Sequence, residues 1–513
     1  MADPAPPQQR WVLISLLLLL VGASVVYLLR PIREPDFFWH LKTGEWIFEH
    51  RRLPAADPFS YTAEAVPTLA ARFTLTAYWA CQVLYYGAYA AGAWTGIVLL
   101  RFVLAAALFT VVWKRRRGDA VVDMSVLIVF AVAFLELYGM DRPQILSFIG
   151  FGLLLVLLDS LKKTAESRPG QPSLFCGYRW PLSLALVMMV WANVHGGFIL
   201  GQATIAIYLA AEGAKFAHRS LRPTTSTAFR ALLISGCAGL AGSLVNPNAY
   251  HALETPFLKV GHQGQRVLIT EYLSTVDALI QYKEYNVVIV WVLMLLAIAA
   301  ILSRPRAIDI TEVALLAATG YFAFNTLRYV AVFMIVALPV IGRFLSQFGA
   351  FRWAKISVIA GVVALALVQA RDELPEPWRL RTGEWVSRDE FPVEAADFIL
   401  ASRLGGNMYN AYNWGGYLIW RLAPERKVFA DGRGINSDIH WQERVISLAF
   451  EQPAQFAWKP LLDRYGVGYV VIPPEEGGYR LPLYERLARD PDWVTVFSKG
   501  NAAVFARRSM LPR

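Results

Sequence analysis

Trp11-Val12-Leu13-Ile14-Ser15-Leu16-Leu17-Leu18-Leu19-Leu20-Val21-Gly22-Ala23-Ser24-Val25-Val26-Tyr27-Leu28-Leu29-Arg30 carries no charged side chain before its last residue. The hydrocarbon core of a bilayer takes about 20 apolar residues per helix, so residues 11–30 read as a membrane span. The Pro-rich Met1–Arg10 is short and no small-residue cleavage site follows the run, which makes it an uncleaved anchor. Runs of the same kind follow at 92–113, 120–138, 144–161, 180–194, 197–214, 228–245, 286–303, 308–325, 329–346 and 355–370. The fold class expected is therefore an α-helical polytopic membrane protein with about eleven spans.

Composition agrees. Of the 513 residues 56% are hydrophobic and 17% charged, against about 25% charged in soluble domains. The net charge of +10 lies largely in short clusters beside apolar runs: Lys114 to Arg117, Lys162-Lys163, Arg304 and Arg306. A nucleic-acid binder gathers such charge on one folded basic domain, so nucleic acid is not an expected partner. The cysteines, Cys81, Cys176 and Cys237, have neither disulfide nor zinc spacing.

The basic clusters occupy every second loop, which places them and the N-terminus inside and the chain after residue 371 outside. The expected organisation is a transmembrane domain at 1–370 with two long outer loops, 31–91 and 246–285. A polar linker at 371–390 and an extracytoplasmic α/β domain at 391–513 follow. In that domain Val428–Ala430, Val467–Ile472, Trp493–Phe497 and Ala503–Ala506 read as strands. Pro392–Ser402, Pro460–Tyr465 and Leu481–Arg489 read as helices with Pro in the first turn. Asp431-Gly432-Arg433 reads as a turn, with docking or acceptor holding as its alternative.

Ionisable groups at membrane depth are costly and usually functional. Here they gather at the outer helix ends: Asp141-Arg142-Pro143, Asn193-Val194-His195-Gly196-Gly197 and Asn325-Thr326-Leu327-Arg328. The first outer loop opens with Asp36-Phe37-Phe38-Trp39-His40-Leu41, where Phe37, Leu41, Gly44 and Phe48 share one helical face. An amphipathic helix lying on the outer surface is expected, with Asp36 as its capping first residue or as a functional acid. His40 stands one turn later on the Asp36 side. Asp57, in Leu53-Pro54-Ala55-Ala56-Asp57-Pro58-Phe59-Ser60-Tyr61-Thr62, is a turn former or a ligand.

These two stretches resemble the opening of large bacterial membrane proteins similar to the GT-C superfamily of polyprenyl-phosphate-sugar glycosyltransferases. The likeness continues at Arg142-Pro143-Gln144, Trp191 to Phe198, Asn246-Pro247, Ile269-Thr270-Glu271-Tyr272 and Leu327-Arg328-Tyr329. It resumes at Phe391-Pro392, Asn413-Trp414-Gly415-Gly416-Tyr417-Leu418 and Val428 to Arg433. The chain departs from the family's pattern where Tyr78-Trp79-Ala80 stands in place of Glu-Trp-Leu, at Glu271-Tyr272, and in the missing acid after Asp36.

The resemblance implies an inverting transferase at the bacterial inner membrane. A sugar passes from a polyprenyl-linked lipid donor to a glycan or protein acceptor, among membrane lipids. Such a step needs a general base and positive charge at the leaving phosphate. Asp36 is the expected base and Glu271 a second acid. Arg142, Arg328 and His195 are expected on the phosphate, with Asp141, His40 and Asp57 as further substrate-binding candidates; Asp36, Arg142, His195 and Arg328 are expected to surround one outward-facing cavity. The cofactor is open: a divalent metal is compatible with the family, but no metal motif is present. Each residue also has a plain structural reading: Arg142 paired with Asp141, His195 satisfied within its loop, Arg328 snorkelling, Glu271 solvated. A transporter or assembly factor for envelope polysaccharide is the alternative function. Internal repeats and helices broken at mid-membrane would mark it, and neither is evident.

Overall fold

A computed structural model of the chain describes residues 7–63, 66–167, 178–218, 226–254, 270–283, 287–303, 309–347, 384–452, 454 and 457–511. The expected span at 355–370, most of the linker and much of the loop 246–285 lie outside these residues. So do Cys176, Arg304, Arg306, Arg352 and Lys355.

A helix occurs at each of the other ten expected spans: Pro7–Leu28, Trp79–Lys114, Ala120–Tyr138, Gln144–Glu166, Arg179–Val194, Phe198–Ala217, Ser226–Ser243, Val287–Ser303, Ile310–Asn325 and Val330–Ser346. Among the described residues, five helical stretches are long and apolar enough to cross a membrane: Arg10–Leu28, Leu69–Lys114, Ala120–Tyr138, Gln144–Glu166 and Leu327–Ser346. Arg179–Val194 and Val287–Ser303 are shorter apolar helices. Trp79–Lys114 is broken at Gly92 and Ala93, where the backbone leaves helical geometry and Ala93 takes φ 48°. The apolar run legible in the sequence starts at this break.

Contacts divide the chain into two compact units, Met1–Arg30 with Val98–Glu376, and Pro31–Ile97 with Pro377–Arg513. The sequence division kept 31–91 with the membrane domain; by contacts this segment belongs with the C-terminal residues. The physical reason is hydrogen bonding and aromatic packing. Ile32 N donates to Trp385 O at 2.8 Å and Ser387 N to Ile32 O at 3.1 Å. Phe38 packs on Phe391, Tyr417 and Trp420 with centroids 4.9, 5.1 and 5.5 Å apart.

In the first unit Val330–Ser346 is the central helix, with every residue from Val330 to Gly342 buried. It packs on Ala120–Tyr138, Gln144–Glu166, Val287–Ser303 and Ile310–Asn325. Arg179–Val194 lies against Ser226–Ser243, an approach that Gly242 permits: a Cβ there would stand 2.2 Å from the Ala185 carbonyl oxygen. Small residues let helix backbones meet where lipid removes the hydrophobic drive. Among the described residues, several basic side chains that read as loop charges are paired. Lys162 and Lys215 bind Asp309 at 2.6 and 2.7 Å and both pair with Glu212. Arg117 pairs with Asp159 and Glu312, and Arg343 with Glu312 at 3.1 Å.

In the second unit a four-stranded sheet is built from β1 (Asn407–Asn410), β2 (Val467–Ile472), β5 (Trp493–Lys499) and β6 (Ala502–Arg507), in the order β1-β2-β6-β5. β1 and β2 are parallel and the other pairs antiparallel. A separate two-residue ladder joins β3 (Glu475–Glu476) to β4 (Tyr479–Arg480). β2 is buried throughout, as its unbroken apolar run requires. Val393–Ala401, Trp458–Arg464 and Pro482–Arg489 match the expected helices; Gly415–Leu422 and Ser437–Ser447 are additional. The strand expected at Val428–Ala430 is corrected: Val428 forms an isolated bridge with Ser60 outside the sheet. β1, at the edge of the sheet, is not among the strands expected from the sequence.

The expected surface helix is also corrected. Pro35–His50 has Phe37, Phe38, Trp39, His40, Leu41, Thr43, Gly44 and Ile47 buried, because it packs on Gly415–Leu422. Only Phe48 of the expected apolar face is exposed. Trp39 is buried as well.

Candidate functional site

The first unit brings three expected residues together. Arg142 lies in the turn before Gln144–Glu166, Glu271 in the short 3-10 turn Thr270–Tyr272, and Arg328 in the turn Leu327–Tyr329. Arg142 and Glu271 form an ion pair. Arg328 Nη1 lies 3.9 Å from Glu271 Oε2 and donates to Tyr272 Oη at 3.0 Å. The two short turns are tied by Leu327 N donating to Leu273 O at 3.0 Å. Tyr138 Oη donates to Leu327 O at 2.6 Å and accepts from Ala331 N at 3.0 Å, which fixes the start of the central helix beneath Arg328. The arginine and glutamate side chains are about a quarter to a third exposed, so the cluster is open to a ligand.

Asp141 does not pair with Arg142 in this way. Both its oxygens are held by Arg101, at 2.6 and 2.8 Å, and Arg101 Nη1 also donates to Leu28 O and Arg30 O. This mid-helix arginine escaped the sequence reading, which placed polar residues at helix ends; its position inside an apolar run was the available signal. His195 is buried at the end of Arg179–Val194. Its Nδ1 accepts from Gly197 N at 2.9 Å and lies 2.6 Å from Ser147 Oγ, which itself accepts from Trp191 Nε1. His195 thus joins its own turn to Ser147 on the neighbouring helix.

The second unit holds Asp36, His40 and Asp57. Asp36 is the second residue of its helix; the cap is Glu34, whose side chain accepts from Asp36 N at 3.2 Å. Pro35 takes the first helical position and moves the cap one residue upstream of Pro35. The Asp36 carboxylate accepts from Trp39 Nε1 at 2.9 Å. Gly432 presses on it: a Cβ at Gly432 would lie 2.1 Å from Asp36 Oδ1. His40 is buried against Trp39 and Tyr78, and its Nδ1 faces Gln82 Nε2 at 3.3 Å.

Asp57 is both turn former and ion-pair partner. Its Oδ1 accepts from Phe59 N at 3.0 Å, and its two oxygens take Arg433 Nη1 and Nη2 at 2.6 and 3.0 Å. Arg433 reaches Asp431 with its Nε at 2.7 Å and Nη2 at 2.6 Å, and Ser60 Oγ donates to Asp431. The Asp57 and Arg433 side chains are 1% and 2% exposed. Burial alone raises the Asp431 carboxyl, but the adjoining Arg433 guanidinium overrides it and holds Asp431 below the usual value. Asp431-Gly432-Arg433 is therefore a pinned loop against Asp36, more than the turn its sequence announces. Among the described residues no group of three or more His, Cys, Asp and Glu side chains is placed to hold a metal.

No protein-family description and no curated protein matches the chain. Solved structures do. The apo oligosaccharyltransferase of Archaeoglobus fulgidus has a TM-score of 0.53 at 12% identity over 97% of this chain and 75% of that one. The archaeal oligosaccharyltransferase AglB from the same organism, in complex with an inhibitory peptide and a dolichol-phosphate, has a TM-score of 0.51 at 12% identity, over 98% and 75%. The fold of this chain, apolar helices with a C-terminal α/β domain, resembles that of these oligosaccharyltransferases.

Proposed function

We propose that the protein is a membrane glycosyltransferase of the bacterial inner membrane. It moves a sugar from a polyprenyl-phosphate-linked donor to an envelope acceptor on the outer side. The observation that carries this reading is the meeting of Arg142 and Arg328 on one acid, Glu271, from three separate segments. Two guanidinium forks facing one carboxylate match an anion larger than that carboxylate, and Arg suits phosphate through its fork of donors. The solved neighbour bound to dolichol-phosphate supports the same class of donor.

In the proposed step the acceptor hydroxyl attacks the anomeric carbon while Asp36 takes its proton. The bond from that carbon to the phosphate oxygen breaks, its electron pair leaves on the phosphate, and Arg142 and Arg328 stabilise the charge there. The configuration inverts because attack and departure occur on opposite faces. Glu271 holds the two arginines together until the phosphate takes its place between them, and is then free to orient the acceptor. Asp141, His195, His40 and Asp57 support this machinery through Arg101, Ser147, Gln82 and Arg433. The test is transfer of a labelled sugar from a polyprenyl-phosphate donor in purified membranes. Asp36→Asn should insert normally and lose about 10²–10⁴ in rate, the usual contribution of a general base. Full activity at wild-type expression would place the base elsewhere.

A further inference from the structure

Around the pair of Arg142 and Glu271, three acids of the first unit each meet an arginine. Glu136 lies 3.6 Å from Arg30. Asp141 takes the fork of Arg101 on both oxygens, at 2.6 and 2.8 Å. Glu271 meets Arg142 and Arg328. The pairings are continuous, because Arg101 Nη1 donates to Arg30 O at 2.8 Å and Asp141 adjoins Arg142 in the chain. Four guanidinium groups thus face three carboxylates, an excess of positive charge.

Arg101 is the fixed point of this array. It is 5% exposed, and four of its five N–H donors are placed, two on Asp141, one on Leu28 O and one on Arg30 O. Its guanidinium therefore sits among four oxygens, the kind of hard donor set that divalent cations take. A metal ion at Asp141 would displace the guanidinium and strand it inside the protein, and an uncompensated buried charge is strongly destabilising. At Glu271 a metal ion would compete with two arginines and meet their repulsion. These acids do not fit a resident divalent metal. A phosphate meets the opposite situation. It can take the place of Glu271 on both forks without leaving a cation unpaired, and Glu271, 24% exposed, has water to turn to.

We propose that the arginine site of the first unit binds a phosphate monoester without a divalent metal. Arg142 and Arg328 supply the positive charge that a metal would bring to the phosphate. Arg101 and Arg30 keep Asp141 and Glu136 from opposing it or collecting a metal. Arg101 is a positioning residue, acting on the phosphate only through Asp141. That the phosphate belongs to a sugar donor rests on the transfer reading; its binding and its independence of metal do not.

The test is calorimetry on the purified full-length protein in detergent, with farnesyl phosphate as the probe, in EDTA and again with Mn²⁺. The dissociation constants in the two conditions should agree within about twofold, and Arg328→Lys should weaken both about tenfold. Arg101→Gln leaves Asp141 uncompensated beside the site, so it should weaken the probe roughly tenfold, and adding Asp141→Asn should restore part of the loss. Mn²⁺ uptake, followed by EPR, should be indifferent to Asp141→Asn and to Glu271→Gln. Probe binding that EDTA abolishes and Mn²⁺ restores, Mn²⁺ uptake lost in either of those variants, or no probe binding in either condition would each overturn the proposal. A folded Arg101→Gln protein that binds the probe like the parent would do the same. If Arg101→Gln does not fold, the comparison of EDTA with Mn²⁺ on the parent still decides. Probe binding in EDTA without sugar transfer would sink the transfer reading and leave this site standing; sugar transfer that requires Mn²⁺ would do the reverse.

Discussion

Arg433 is buried between Asp57 and Asp431 with its fork on both. Removing one partner of such a buried pair leaves an uncompensated charge and typically costs about 3–5 kcal/mol. Arg433→Gln should therefore destabilise the second unit by that order, measured by denaturant unfolding in detergent, and free the loop that confines Asp36. Glu443 behaves in the opposite sense. Burial, with Glu476 adding to it, pushes its carboxyl up to about 7. A folded-state value above the unfolded one means stability that is full at low pH and falls as pH rises through 7. Glu443→Gln keeps an acceptor for Tyr409 Oη and should raise the unfolding temperature at pH 8.5 while changing little at pH 4; equal effects at both would contradict the assignment. Arg328→Lys keeps charge but loses the fork, so it should raise the donor KM more than it disturbs folding. At this scale the sequence showed Arg142, Arg328 and Glu271 as isolated charges beside apolar runs. It did not show Arg101 or Arg433 as partners, because Asp141 and Asp57 lie far away along the chain and no local spacing encodes such a pair.

At the scale of elements, Arg179–Val194 and Ser226–Ser243 are held close by the bare backbone of Gly242. Gly242→Leu should separate them and lower the thermal stability of the first unit; a variant as stable as the parent would show that the contact tolerates a side chain. Helix positions were legible because an apolar run of membrane length has few other readings. The lie of Pro35–His50 was not. Its apolar face was plain in the sequence, but whether lipid or protein covers such a face depends on Phe391 and Tyr417, which are hundreds of residues away and carry no local mark. Val428–Ala430 shows the same limit: β-branched and aromatic residues announced a strand, and the choice of Ser60 rather than the sheet as its partner is tertiary.

For the whole molecule, contacts join Pro31–Ile97 to the C-terminal residues although the chain separates them by the helical unit. The two carboxylates expected to act, Asp36 and Glu271, therefore belong to different units. The most direct measurement of the transfer account is single-turnover transfer by the purified full-length protein in liposomes, supplied with a labelled polyprenyl-phosphate sugar and a saccharide acceptor. The account predicts labelled acceptor with inverted anomeric configuration, lost in Asp36→Asn and slowed in Arg328→Lys. Intact donor with no labelled acceptor, or transfer with retained configuration, would contradict it.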